Sequence, residues 1–289
     1  MKIKLLTTLI AGALLAGCGS DNDNSVTPQS IQLQAYDPEV RGMDVTFVCG
    51  EATGTAGETA HDGKVTITHS AVVNAPEACA FTAKGKAGSI DVTNGKTMDS
   101  VTYQVPKGLA AKGNLITASP ISTILAKELG DAEFTEAAAV EVFKKLGLDT
   151  LLNQGSVSSV EDYLKNTKSV TESLQGKDKS LVDATTMVLS DALAVSAAHS
   201  DVTADVTADD IIEVTNTIVD EVLTQYPDYP KTADGKEIYL DVKDTVNMVA
   251  DGKPVVLPPP QDAKPVDPPK PPTGGTGGSE GDNSGGTGA

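Results

Sequence analysis

The side chains whose types suggest chemistry are three histidines, two groups of aspartates and one lysine-bearing turn. His61, His69 and His199 are far apart in sequence, and only the first two are placed to meet across a hairpin. Each reads as a surface or packing residue and not as a base or ligand. Asp201, Asp205, Asp209 and Asp210 gather the oxygen ligands that calcium takes, but the glycine and closing glutamate of a dedicated loop are missing. Asp21 and Asp23 meet the same objection, and both groups read as solvated acids. Asn94-Gly95-Lys96-Thr97 ends as a phosphate-binding loop would, yet Ile90 stands where the first glycine belongs, so it reads as a turn. No helix-borne zinc motif and no nucleophile elbow occurs. No catalytic residue, no metal site and no cofactor is expected, and the chain reads as a non-enzyme.

The chain start carries a different chemistry. Met1-Lys2-Ile3-Lys4 supplies positive charge, and the uncharged apolar run from Leu5 to Leu14 follows it, the pattern of an export signal. That run is shorter than the ~20 residues that span a bilayer. Next comes Leu15-Ala16-Gly17-Cys18, small residues leading into a cysteine. The stretch resembles the lipobox of bacterial lipoproteins. The resemblance implies cleavage before Cys18, a diacylglyceryl group on its thiol and further acylation of the new N-terminus. It also implies the outer membrane, because Gly19 occupies the position where aspartate favours inner-membrane retention. Each buried methylene contributes about 0.8 kcal/mol, so two or three chains anchor durably where one does not.

Charge and cysteine content narrow the partners. Loss of residues 1–17 removes Lys2 and Lys4, leaving 40 acidic residues and a formal charge of about −20. Arg41 is the only arginine, so nucleic acid, which needs clustered basic side chains, is not expected as a partner. Anionic headgroups are repelled as well, so membrane lipid is reached through Cys18. With Cys18 lipidated, Cys49 and Cys79 form an even pair in an oxidising compartment, which suggests a disulfide. Two buried thiols or a metal pair are the alternatives, and the spacing without nearby histidines disfavours metal. Aromatic residues make up 3% and tryptophan is absent, which argues against a deep enzyme pocket or a sugar-stacking platform.

The elements that must carry these residues read as α+β: a small N-terminal β-sandwich followed by an α-helical bundle, with a disordered tether and tail. The expected division is a signal peptide over 1–17, a lipidated tether over 18–30, a β-sandwich over 31–106, a helical domain over 115–250 and a disordered Pro/Gly-rich tail over 251–289. Strands are expected at Val45-Thr46-Phe47-Val48-Cys49, Lys64-Val65-Thr66-Ile67-Thr68, Ala80-Phe81-Thr82-Ala83, Ser89-Ile90-Asp91-Val92 and Ser100 to Val105, with turns at Asp62-Gly63 and Asn94-Gly95. The segment from Glu58 to Ile67 resembles the central hairpin of sandwiches similar to carboxypeptidase regulatory domains, although the aromatic after the hairpin glycine is absent. That resemblance implies a spacing or holding role and not catalysis.

Helices are expected after Ser119, which is followed by Pro120, after Thr135, from about Ser158 to Thr167, from about Asp178 to Ala198, and after Thr207. Leu181, Thr185, Val188, Leu189 and Ala192 share one face of the fourth, and Ile211, Val214, Ile218, Val219 and Val222 turn inward on the fifth. The segment from Glu237 to Ala250 fits strand or helix equally. Beyond Lys253 a stiff proline-rich stretch gives way to a flexible glycine-rich one, and neither is expected to fold.

These readings give a lipid-anchored cell-envelope lipoprotein, outer-membrane or surface-exposed, acting as a non-catalytic binding, adhesion or structural module with a protein or surface partner. The alternatives are a periplasm-facing accessory factor of an envelope or secretion assembly, and an enzyme whose site the sequence does not nominate.

Overall fold

The computed structural model describes residues 29–199 and 206–269. The expected signal peptide, Cys18, Asp21, Asp23, Asp201, Asp205 and the glycine-rich end lie outside the described residues. Within them the fold is mixed α+β, with several small sheets and a set of helices.

The first part runs β1 (Ile31–Ala35), β2 (Val40–Arg41), β3 (Asp44–Cys49), β4 (Ala52–Glu58), β5 (Lys64–Ile67), the short helix α1 (Ser70–Asn74), β6 (Cys79–Lys84), β7 (Ile90–Asp91), β8 (Thr102–Val105) and β9 (Ile116–Ala118). One antiparallel sheet has the order β4-β3-β6-β8. Val45, Phe47, Cys79, Phe81, Ala83, Tyr103 and Val105 point to its buried face, and the register sets Phe47 opposite Phe81 and Cys49 opposite Cys79. The period-2 alternation therefore gives these strands one apolar face. A second sheet, β5-β1-β9, pairs β1 antiparallel to β5 and parallel to β9. Where a hairpin is expected over residues 58–67, the chain instead leaves β4 in the first sheet and enters β5 in the second. Gly63 at φ +71 makes that turn, and a Cβ there would lie 2.6 Å from the Ala35 carbonyl oxygen.

Helices follow as α2 (Pro120–Leu129), α3 (Glu136–Lys145), α4 (Asp149–Asn153), α5 (Val160–Lys165), α6 (Thr167–Ser173), α7 (Gly176–His199) and α8 (Ala208–Gln225), then β10 (Ile238–Tyr239), α9 (Lys243–Ala250) and β11 (Gln261–Asp262). The expected caps are in place. Ser119 and Ser122 form a capping box on α2, and Thr135 accepts from the Ala138 amide on α3. The start of α2 also continues the first sheet: Ser122 Oγ donates to the Gln104 carbonyl, and the Gln104 amide donates to Thr123 Oγ1. The ambiguous segment after Glu237 resolves into both elements, a two-residue strand and then α9.

Helix α7 is the centre of the second part. It buries every residue from Met187 to Ala194, so its contacts wrap the helix and the single apolar face expected from the sequence is too narrow. By length and composition it would cross a bilayer, but 67% of its most apolar window is buried inside the protein, as in a core helix. In α8, Ile211, Ile218, Val219 and Val222 are buried as expected, whereas Val214, also expected to turn inward, is only half-buried.

The proline-rich stretch differs from expectation. Residues 253–269 are extended, but they lie against the body as a strap. The Thr245 hydroxyl donates to the Val256 carbonyl, β11 pairs with β10, and the Lys264 and Val266 amides donate to the Asn94 and Val92 carbonyls. Prolines fix φ in advance, so an extended strap loses less entropy on docking than a flexible chain would.

Candidate functional site

The β strands and the helices meet over a buried polar seam. The two-residue ladder of β2 and β7 holds Asp91, the Asn94-Gly95 turn reverses the chain, and Lys96 then points inward with 4% of its surface exposed. Helix α7 supplies Asp183, Ser190 and Asp191 from the other side. Lys96 Nζ lies 2.8 Å from Asp191 Oδ2, which also accepts from the Val242 amide at 2.8 Å. The Tyr103 hydroxyl donates to Asp37 Oδ2 at 2.6 Å and lies 2.8 Å from Ser190 Oγ. Asp91 accepts from the Thr93 amide at 2.8 Å and from Asn94 Nδ2 at 2.7 Å.

Above this seam opens a cavity of about 220 Å³, reached by Asp37, Asp91 and Lys96 on the β side and by Asp183 and Met187 on α7. Tyr229 from the loop before β10, Ile238 of β10 and Ala263 of the strap close it. Asp37 is half-buried, in contact with the cavity but surrounded by protein.

Burial dominates the electrostatics. It pushes the Asp37 carboxyl up to about 8, against the hydroxyls of Ser190 and Tyr103, which pull it down. It pushes Asp91 up to about 7, against the backbone amides of Thr93 and Asn94. Burial also raises Asp183, with Lys179 opposing. For Lys96 burial acts downward, but the adjacent Asp191 overrides it and the ammonium is held above the ordinary lysine value. Tyr103 is raised by burial and then by Asp37. The arrangement holds a sealed ion pair between Lys96 and Asp191, a more exposed one between Lys179 and Asp183 and, beside them, Asp37 and Asp91 without a salt bridge among the described residues.

A larger cleft of about 520 Å³ lies between α7, α8 and α9, walled mainly by aliphatic side chains such as Ile211, Val214 and Val246. Val206, the first described residue after 200–205, forms part of its wall, and it contains no comparable set of converging buried charges.

Of the residues singled out from sequence, Cys49 and Cys79 are joined by a disulfide across β3 and β6. His69 caps α1, accepting from the Ala71 amide, and its ring lies 4.9 Å from that of Phe47. His61 Nδ1 is buried without a hydrogen-bond partner, and no hydrogen bond joins His61 to His69 among the described residues. The side chain of His199 lies outside the description. Asp209 pairs with Lys145, and Asp210 forms the capping box of α8 with Thr207. Among the described residues no group of three His, Cys, Asp or Glu is placed to hold a metal ion. Asn94-Gly95 is the expected turn.

Sequence reading missed the seam itself: Asp37, Asp91, Lys96, Tyr103, Ser190 and Asp191. One signal was present. Asp191 interrupts the apolar run of α7, and an acid at such a position is almost never buried unless paired. Its partner Lys96 is 95 positions away in a segment that reads only as a turn, and nothing local joins the two. Comparison with known proteins finds no matching family model, no matching curated protein and no matching solved structure.

Proposed function

We propose that this chain is a lipid-anchored cell-envelope lipoprotein whose folded part is a non-catalytic binding or structural head, held at the outer membrane through Cys18. The observation that carries the reading is the Cys49–Cys79 disulfide. A disulfide between two core strands fits an exported protein in an oxidising compartment. It also accounts for two of the three cysteines and leaves Cys18, at the end of Leu15-Ala16-Gly17, as the odd one for lipid.

We read the two larger sheets as the layers of a small sandwich and the helices as a bundle packed against it. The buried seam and the strap tie both into one head. The reading as an enzyme has one observation in its favour, the Asp37 carboxyl that keeps its proton near neutrality inside a cavity. Tyr103, Ser190 and Lys96 beside it are all engaged in holding strands to α7, which favours a static role.

The test is expression of the wild type and Cys18→Ser, followed by intact-mass analysis and membrane fractionation. A mature chain starting at Cys18 with added acyl mass, lost from the membrane fraction on substitution, supports the anchor. An unchanged mass and distribution overturns it. Proteinase treatment of intact against lysed cells then separates a surface-exposed head from a periplasmic one.

A further inference from the structure

We propose that the 220 Å³ cavity over the seam is a binding site for a small organic cation, a primary amine with a short apolar body. The proposal concerns the head alone and does not depend on lipid at Cys18, so the two fail separately.

Once Asp37 and Asp91 have released their protons, the charges around the cavity do not balance. The Lys179 ammonium is taken by Asp183 at 2.9 Å, and that of Lys96 by Asp191 at 2.8 Å. Asp37 and Asp91 form no salt bridge among the described residues and feel Lys96 only at longer range. Glu237 adds a further acid at the rim, with Lys231 3.9 Å from it. A small anion would meet carboxyls on every charged wall, whereas a cation would complete what the protein leaves uncompensated.

The rest of the lining specifies what kind of cation. Tyr36, Pro38, Met187, Tyr229 and Ile238 present apolar and aromatic surface, which suits an alkyl body and, at the tyrosine faces, an ammonium. A bare metal ion would need several converging oxygens, and the described residues contain no such group. At ~30 Å³ per water the cavity has the room of about seven waters, the size of a short alkylamine or diamine.

The experiment is calorimetric titration of the purified full chain with n-butylamine and butane-1,4-diamine, with butyrate and n-butanol as controls. It is run at about pH 8.5, where a primary amine with an ordinary ammonium pKa keeps its charge and the Asp37 and Asp91 carboxyls, raised to about 8 and about 7, have mostly lost their protons. The expected result is one site for the amines and none for butyrate or butanol. Asp37→Asn is expected to weaken amine binding at least about tenfold, the loss of one close charge contact. Glu237→Gln, at an exposed position that leaves the fold intact, is expected to weaken it about two- to threefold. Absence of amine binding to the wild type, binding of butyrate as tight as that of butylamine, or amine binding unchanged in both variants would overturn the proposal.

Discussion

Lys96 Nζ sits 2.8 Å from Asp191 Oδ2, with both side chains sealed from solvent, and this contact joins the turn after β7 to the middle of α7. Removing one member leaves the other charged and buried, which costs ~3–5 kcal/mol in comparable pairs. Lys96→Met is therefore expected to lower unfolding stability by about that amount in urea titration. Lys96→Met with Asp191→Asn should recover much of the loss, because the asparagine keeps an acceptor for the Val242 amide without an unmatched charge. A loss below about 1 kcal/mol for Lys96→Met would show that the pair is wet and not structural.

Stability should fall as pH rises through neutrality. Asp37 and Asp91 are raised to about 8 and about 7, so the folded chain holds protons that the unfolded chain has released. Their contribution is fully present below the ordinary carboxylate range and is lost as pH climbs through 7 and 8. Asp210 and Asp234 are lowered by Thr207 and Thr232 and act oppositely, favouring the fold above their ordinary range and losing that effect in acid. Urea midpoints measured from about pH 5.5 to about pH 8.5 should decline in the wild type and decline less in Asp37→Asn. A rising midpoint over that window would show that both carboxyls are ionised and compensated.

The disulfide closes a separation of 30 residues between β3 and β6. In the chain-entropy account, that loop is worth about 3.5 kcal/mol through the unfolded state. Cys49→Ala with Cys79→Ala should lose roughly that much, read as a lower thermal midpoint under non-reducing conditions. Reduction of the wild type should bring it near the same value, since Cys79 sits at 0% exposure in a pair of strands that register holds together without the bond. A reduced protein that stays at the oxidised midpoint would place the stabilisation elsewhere.

Local signals made the elements legible. Ser119, Thr135 and Thr207 announced three helices because capping is chemistry between neighbours in sequence. Val45, Phe47 and Phe81 announced strands by alternation. Pairing between distant segments was not legible in the same way. Nothing near Ile116 marks it as the parallel neighbour of Leu33, and nothing near Lys96 marks Asp191. The same holds for the cavity, whose walls come from the turn between β1 and β2, the end of β7 and the turn after it, α7, the loop before β10, β10 itself and the strap. The strap was misjudged for a related reason: its composition describes an unfolded chain well, and only the waiting carbonyls of Val92 and Asn94 give it somewhere to bind.

That docking turns on one position. Gly95 has φ +83, and a Cβ built there would lie 2.9 Å from the Lys264 carbonyl oxygen, closer than side chains approach backbone. Gly95→Ala therefore pays twice, once in left-handed strain and once against the strap. The strain alone is of order 1 kcal/mol, and relief of the contact requires the strap to lift. Limited proteolysis should then cut within residues 253–269 well before the body. Hydrogen exchange at the Lys264 and Val266 amides should speed up while the first sheet stays protected. Because Ala263 helps close the cavity, lifting the strap should also open it at one side. Faster exchange throughout the fold would show instead that the turn, and not the strap, is what the glycine protects.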